Sequence, residues 1–422
     1  MSLFLKLIDF MDASPAPISF DNTEFAFQYK TDEELKKAKW LFSLMSKPWI
    51  VKAGVKLAPW SLNVGLPVKG LIRKTIFKQF VGGESLEQIA PVAQVLDKYN
   101  VKIILDYGVE GKEGEENFDN ACEVFISVIN YAASQSNIPF IGVKITGFAR
   151  FALLERLNEL MQKESGTLMK RFLIAIENLT HDEKEEWHRV RYRVMRVCDA
   201  AAKNKIGVSI DAEETWITDP LDALTILMMD QFNKERAIVY NTTQHYRTDR
   251  QQFLKDSYEA AVERNFILGA KMVRGAYMEK ERKRAAEKGY PSPIMPDKAC
   301  TDRDYDESLK FCIDHIDRIA IVVASHNENS NMLAVKLLQE KGLPLNHPHI
   351  HWSQLFGMSD NITFNLAHAG CSVSKYLPFG PIKDVIKYLM RRAEENTSVK
   401  GQTNRELMLI EKELDRRKSK KS

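Results

Sequence analysis

From residue 100 onward the chain alternates between short β-branched or apolar runs and longer amphipathic stretches. The runs are Val101–Tyr107, Phe140–Ile145, Ile206–Asp211, Ala237–Asn241, Leu268–Val273, Ile319–Ser325, His349–Trp352 and Ser372–Tyr376. Helical patterns such as Asp256–Asn265, Asp304–Asp317 and Asn331–Lys341 lie between them. Strands alternating with helices predict parallel βαβ units. Eight of them within about 300 residues predict a closed, distorted (β/α)8 barrel of the TIM type rather than an open sheet. Phe172–Ile176 is apolar enough for a ninth strand, although its flanks also let it sit inside a longer helical region.

The first hundred residues follow a helical period instead. Thr31–Glu34 has the form of a capping box and opens a helix through about Met45. Residues 46–100 continue mostly helical, with loops at Lys47–Pro48 and Gly82–Gly83. We therefore expect a helical N-terminal arm or cap over 1–100, with 1–20 (Pro15, Pro17) loose, and a catalytic barrel over 101–400. Residues 401–422 are expected to hold a helix end and a basic tail. Arg416, Arg417, Lys418, Lys420 and Lys421 in that tail read as solvated and disordered, and a weak contact with anionic lipid is the other reading.

Composition narrows the class. Hydrophobic residues make up 44% and charged residues 28% of 422 residues, with a mean hydropathy of −0.31. These values describe a globular chain with sequence enough for a large core, and exclude a disordered, collagen-like or disulfide-scaffold protein. Sixty Lys and Arg against 57 Asp and Glu leave a net +3, too balanced for a nucleic-acid partner. No apolar run approaches the roughly 20 residues a membrane helix needs. The first residues, MSLFLKLIDFMD, lack the basic start of a secretory signal. Cys122, Cys198, Cys300, Cys312 and Cys371 are scattered and odd in number, which fits a reducing compartment.

In a barrel, chemistry collects at the carboxyl ends of the strands. Here those ends carry GVKITG with Lys144, SIDAEE with Asp211, Glu213 and Glu214, VYNTTQ with Asn241, KMVRGAY with Lys271, ASHNEN, and SKYLPFG with Tyr376. A single polar strand end is ordinarily solvated, whereas five together point to a site. The last predicted helix, Gly380–Asn396, has Pro381 at its first position and a buried stripe of Ile382, Val385, Ile386, Leu389 and Ala393. Tyr388 shares a face with Arg391 and Arg392, and Glu395 is placed to pair with them. Two adjacent guanidiniums suit a carboxylate or phosphate. The same spacing fits a solvated basic turn balanced by Glu394 and Glu395, and on spacing alone the two readings stand level.

His347, His349 and His351 alternate along one strand as metal ligands would, yet without a supporting acidic partner. Nucleotide and hydrolase fingerprints (GxGxxG after a strand, GxxxxGK[ST], HExxH, GxSxG) are absent, so a Rossmann-type cofactor site is disfavoured. A cofactor lying across barrel loops remains compatible, since Gly275 in RGAY lets a ligand approach the backbone. Three other classes stay open at this point. A metal-dependent hydrolase would use Asp211, His326 and the alternating histidines. A lyase would use Lys144 or Lys271 as a Schiff base. A binding scaffold would use none of them.

VKITG, SIDAEE, KMVRGAY, SHN, YLPFG and YLMRRAEEN, in this order over about residues 100–400, resemble the flavin-dependent proline dehydrogenase family. The resemblance implies a distorted (β/α)8 barrel that binds FAD non-covalently and oxidises L-proline to Δ1-pyrroline-5-carboxylate, the first step of proline catabolism. It implies hydride transfer from C5 to flavin N5 and electrons passed to a membrane quinone. It implies that Arg391 and Arg392 clamp the carboxylate, that Lys144 adds positive charge with Asp211 beside it, and that Tyr376, Tyr388 and Leu355 wall the ring. Asn241, Lys271, Arg274, Gly275, Ala276, Tyr277, His326 and Asn327 match flavin-contacting positions, with Lys298 and Thr301 on the adenine side. Many bacterial members have Arg at the place of Lys271 and Lys at that of Arg274, so the swapped pair resembles the eukaryotic-like branch. A bulky Tyr376 favours proline over hydroxyproline. The length leaves no room for an aldehyde dehydrogenase domain, so the single-function form is expected. It would sit in the cytoplasm against the inner face of a membrane, with a separate pyrroline-5-carboxylate dehydrogenase as a partner.

Overall fold

The computed structural model describes residues 18–63, 68–108, 113–398 and 402–421. Eight parallel strands close into a barrel in sequence order: β1 (Val101–Tyr107), β2 (Phe140–Val143), β3 (Gly207–Ile210), β4 (Val239–Gln244), β5 (Leu268–Val273), β6 (Ile319–Ala324), β7 (Ile350–Leu355) and β8 (Val373–Phe379). The seam closes by pairing β1 with β8, Val101 opposite Val373 through Tyr107 opposite Phe379. The helices are α1 (Thr23–Phe27), α2 (Asp32–Met45), α3 (Pro48–Asn63), α4 (Lys69–Ile72), α5 (Lys78–Phe80) and α6 (Leu86–Asp97) before the barrel. Within it come α7 (Glu115–Ala133), α8 (Phe151–Gln162), α9 (Leu168–Glu177), α10 (His181–Asn204), α11 (Thr215–Phe232), α12 (Arg250–Glu263), α13 (Met278–Lys288), α14 (Lys298–Asp314), α15 (Glu328–Glu340) and α16 (Asp360–His368). Last come α17 (Ile382–Ser398) and α18 (Gln402–Ser419). The ninth apolar run, Phe172–Ile176, is part of α9: Thr167 caps that helix, and Phe172 and Ala175 turn inward three residues apart as a helix face does.

Alternation along the strands divides the barrel into two environments. Outward residues such as Leu268, Ala270, Met272, Ile319, Ile321 and Val323 join the main core under the helices. Inward residues start apolar at the amino ends, where Phe140, Tyr240, Ala320 and Val322 pack together. Towards the carboxyl ends polar residues enter: Thr242 lies opposite Lys271, and Tyr376 opposite Leu355. Gly142 leaves space for Tyr376, since a Cβ there would lie 2.7 Å from the tyrosine hydroxyl.

The N-terminal helices share a second core with α17 and α18. Leu35, Phe42, Met45, Val51 and Phe80 pack with Ile382, Val385, Ile386, Leu389, Leu409 and Ile410. The capping box at Thr31 and Glu34 is present as expected. Gly357 permits a close approach of this layer to the barrel: its φ is +79°, a Cβ would lie 2.0 Å from the Gln79 carbonyl, and the Gln79 side chain donates to the Gly357 carbonyl at 2.7 Å. A buried polar knot adds to it. Asp360 accepts from Tyr29 (2.8 Å) and pairs with Lys30 (3.1 Å) and with the fully buried Lys375 (2.8 Å). Burial acts to raise the Asp360 carboxyl, but the charges of Lys30 and Lys375 hold it down at about 2.

The basic C-terminus is not the disordered tail that its charge suggests. Its described part belongs to α18 or to the turn after it, and its cations meet acids of the N-terminal helices. Arg416 and Lys420 pair with Glu24, and Arg417 and Lys421 with Asp32. Arg416 and Arg417 also hold the buried Glu413. These contacts join residues nearly 400 positions apart, so no local pattern announces them. Residues 1–17, most of the loose terminus read from the sequence over 1–20, lie outside the described residues.

Candidate active site

A cavity of about 2360 Å³ opens at the carboxyl ends of the strands. That is more than twice the roughly 1,000 Å³ upper range of ordinary small-ligand pockets, room for a dinucleotide-sized group beside a small substrate. The residues expected from the strand ends and the last helix converge there: Lys144, Asp211, Lys271, Arg274, Gly275, Ala276, Tyr277, Lys298, Thr301, His326, Asn327, Leu355, Tyr376, Tyr388, Arg391 and Arg392 all line it. Asn241 does not. Its side chain is buried on the outer face of β4, where it donates to Asp222 on α11 at 2.8 Å. With Tyr240 inside the barrel, alternation puts Thr242 and Gln244 in the cavity and Asn241 outside it. That phase is the sequence signal that would have selected Gln244.

Asp211, just beyond β3, is the electrostatic hub. Lys271 donates to one carboxylate oxygen at 2.6 Å and the Tyr376 hydroxyl to the other at 2.5 Å. The ammonium also lies 4.6 Å from the Tyr376 ring centre. Burial acts to raise the Asp211 carboxyl, but the Lys271 charge and hydrogen bond, with help from Tyr376 and Lys144, hold it below its ordinary value. Lys144 adds its charge to that of Lys271, which is hydrogen-bonded to the carboxylate. Asp106, at the end of β1, adds a second buried carboxyl that strand-end reading missed; burial raises it despite Lys144. Burial also lifts the Tyr376 hydroxyl well above its usual value, with Asp106 and Asp211 adding to the effect.

The α17 wall presents Arg391 and Arg392 to the same space, and the Arg392 guanidinium lies 5.0 Å from the Tyr388 ring centre. The predicted stripe Ile382, Val385, Ile386, Leu389 and Ala393 is buried, which turns the two arginines towards the cavity rather than to solvent. The helix itself begins at Ile382, with Pro381 just before it. The side chain of Glu395 lies outside the described residues.

The opposite wall has the donors a dinucleotide requires. Arg274 is fixed by Asp302 (2.5 Å), Ser325 (2.9 Å) and Ser330 (2.7 Å), and its guanidinium lies 4.0 Å from the Tyr305 ring centre. Gly275 has φ +99° with nothing within 4 Å of a would-be Cβ, so its backbone faces open space. Lys298 stands at the start of α14 and Asn327 caps α15. This cationic, backbone-accessible wall fits a pyrophosphate-bearing cofactor. His326 donates to or accepts from Ser359 at 2.9 Å, and burial with the nearby Lys375, Arg392 and Arg274 charges pushes it down to about 3, so it is neutral at pH 7.

Among the other carboxyls that line the cavity, Glu213 and Glu406 are raised by burial. Glu213 accepts from the Thr146 hydroxyl (2.7 Å) and amide (3.3 Å), and burial pushes it up to about 7. Glu406 on α18 accepts from the Ser359 amide, and burial reinforced by Asp360 also lifts it to about 7. An acid raised on folding contributes stability that is fully present below its unfolded value of 4.5 and is lost as pH rises through the folded value. Each is worth about 3 kcal/mol at most. Glu213→Gln and Glu406→Gln should therefore flatten the fall in Tm between about pH 5 and 8; calorimetry across that range that shows the wild-type slope in both variants would contradict the assignment.

The alternating histidines do not form a centre. His347 accepts from the His349 amide (3.2 Å), His349 contacts the Ile316 carbonyl (2.6 Å) and His351 contacts Ser374 (2.6 Å) near the amino end of β7, away from Asp211 and His326. Among the described residues no group of three His, Cys, Asp or Glu side chains is placed to hold a metal.

Comparison with known proteins identifies the family. A family model described as proline dehydrogenase matches residues 90–405. The chain is 31% identical over 386 residues to "Proline dehydrogenase 1, mitochondrial" of Dictyostelium discoideum, covering 84% of this chain and 67% of that protein. It is 30% identical over 416 residues to "Hydroxyproline dehydrogenase" of Xenopus laevis, covering 93% and 88%. Among solved structures, proline utilization A from Bdellovibrio bacteriovorus, inactivated by N-propargylglycine, matches with a TM-score of 0.67 at 19% identity. That match covers 90% of this chain but 42% of the longer protein, and it carries the barrel fold. The chain belongs to the proline dehydrogenase family.

Proposed function

We propose that this cavity oxidises L-proline to Δ1-pyrroline-5-carboxylate with a non-covalently held FAD. The observation that carries the reading is the convergence of Arg391 and Arg392 with the buried Lys271–Asp211–Tyr376 cluster in one cavity large enough for both molecules. When bound, the flavin supplies at N5 the two-electron acceptor for the hydride that leaves proline C5. The protein's own contribution is placement and charge. Arg391 and Arg392 take the carboxylate, which removes rotational freedom from a small ring. Tyr376, Tyr388 and Leu355 wall that ring. The positive charges of Lys144 and Lys271 favour the neutral amine, whose lone pair the oxidation requires and whose proton goes to solvent. Asp211 holds Lys271 and the Tyr376 hydroxyl in place.

Tyr376 also bears on substrate choice. It is buried, seated in the room that Gly142 leaves and tied to Asp211, so it does not swing aside for a ring hydroxyl. Proline should therefore react faster than trans-4-hydroxyproline, although relatives of both kinds resemble the chain. The test is purified protein supplied with each amino acid and a soluble dye acceptor. Dye reduction matched by pyrroline-5-carboxylate supports the reading, and no reduction with proline sinks it.

Cofactor retention rests on Arg274. Arg274→Ala removes a fixed guanidinium from the cavity wall and leaves Asp302 to Lys298 among the described residues. We expect at least about tenfold weaker FAD binding, read by flavin absorbance after gel filtration; full retention would move the cofactor elsewhere. A membrane quinone is the expected final acceptor, and a separate pyrroline-5-carboxylate dehydrogenase the expected consumer of product. Among the described residues no helix is long and apolar enough to cross a membrane. Contact with the lipid phase is then peripheral, and the relative in Dictyostelium discoideum is named as mitochondrial.

A further inference from the structure

Between Leu35 and Gly83 the sequence has ten basic residues (Lys36, Lys37, Lys39, Lys47, Lys52, Lys56, Lys69, Arg73, Lys74 and Lys78) and no Asp or Glu. In a chain of net charge +3 this is a concentrated positive segment. Lys39 pairs with Glu411 and Arg73 with Glu84, but among the described residues Lys36, Lys37, Lys47, Lys52, Lys69, Lys74 and Lys78 have no acidic partner. The same segment carries the two most exposed large apolar side chains described, Trp49 at 71% and Leu71 at 66%, with Leu57 and Trp40 more than half exposed. On α3, Trp49, Ala53 and Leu57 are spaced four apart and share one outward face, while Val51 and Val55 turn towards the body. Interfacial tryptophan, an apolar stripe and flanking lysines without acids are the features of a helix that lies in a bilayer surface.

Its position gives the surface a use. Val51, Lys52, Ala53 and Val55 line the cavity, so α3 forms part of the rim, and it packs on α17, which carries Arg391 and Arg392. We propose that α3 and the segment from Lys69 to Lys78 dock on an anionic lipid bilayer and set the cavity mouth against it. Charge complementarity selects this occupant: a segment without a carboxylate repels a second copy of itself and attracts anionic headgroups, at about 1 kcal/mol per basic residue near the surface. The docking rests on the exposed residues. Its role, to let a lipid-soluble quinone take up two electrons and two protons at the cavity and leave as the quinol, rests on the proline-oxidising reading.

The test is flotation of the full chain, with its cofactor, on phosphatidylcholine vesicles with or without phosphatidylserine. Proline-dependent reduction of a soluble dye is measured in parallel. The wild type should float with the mixed vesicles, lose them in high salt and ignore pure phosphatidylcholine. Trp49→Ser with Leu71→Ser, and separately Lys47→Glu with Lys69→Glu, should each weaken flotation by at least about tenfold while dye reduction stays unchanged, which also shows that the variants fold. Wild-type protein that does not float, or double variants that float equally well, would overturn the proposal. So would a soluble dimer that Trp49→Ser with Leu71→Ser disperses. Flotation without proline-dependent dye reduction would instead sink the functional reading and leave the docking surface standing.

Discussion

Arg392→Ala should cost about a hundredfold in kcat/KM for L-proline, most of it in KM, with the flavin still bound. A buried charge-assisted pair to a carboxylate is worth about 2–5 kcal/mol when one partner is truncated, and about 3 kcal/mol corresponds to that factor. Arg391→Ala should act in the same direction by a smaller amount. Arg392 is buried and lies over the Tyr388 ring, so its removal also unsettles a wall of the ring site, whereas Arg391 is half-buried. Arg392→Lys should recover only part of the loss, because an ammonium keeps the charge but not the planar fork. Steady-state kinetics with proline varied, beside flavin absorbance, separates the effects. An unchanged KM in both alanine variants would remove the carboxylate clamp.

Asp211→Asn should be the more damaging change to the protein itself. It leaves the Lys271 ammonium buried without its anionic partner and takes the acceptor charge from the Tyr376 hydroxyl. Breaking one side of a buried pair costs about 3–5 kcal/mol. We expect that loss in denaturant unfolding, together with a large fall in kcat. Removing the stranded cation as well, in Asp211→Asn with Lys271→Met, should return most of the stability and none of the activity. If stability does not recover in the double variant, the cost lies elsewhere than in the pair. The carboxyl's lowered value adds a sign: its stabilisation is present above the ordinary Asp range and fades as acid carries the pH down through the folded value.

The barrel was legible because each strand's outward face must be apolar to pack under helices, and that requirement repeats eight times. Strand limits were less legible, and for a functional reason. The apolar run of β4 stops at Asn241, yet the strand continues through Thr242, Thr243 and Gln244, and β7 continues past Trp352 through Ser353 and Gln354. Those polar extensions line the cavity or brace it, so the site itself erases the strand signal. Asn241, the end of that run and matched by resemblance to a flavin-contacting position, turns outward to Asp222 instead. Lys144 and Asp211 could be placed at neighbouring strand ends from sequence, but the hydrogen-bonded partner, Lys271, comes two strands further round, and only the closed barrel brings it across. Asp106 ends an apolar strand and looks like an ordinary solvated terminus. Arg391 and Arg392 were legible as a pair beside Tyr388 on one helix, but spacing alone left a solvated turn level with a site, and only the packing of α17 places them at the cavity. The C-terminal ion pairs with Glu24 and Asp32 were not, since helix-scale patterns say nothing about what lies across the fold.

Proline oxidation in this cavity is tested most directly by an anaerobic visible spectrum of the purified, FAD-loaded protein before and after addition of L-proline. Proline should bleach the flavin absorption, and a quinone analogue should restore it. Flavin bands that persist at saturating proline would contradict that activity.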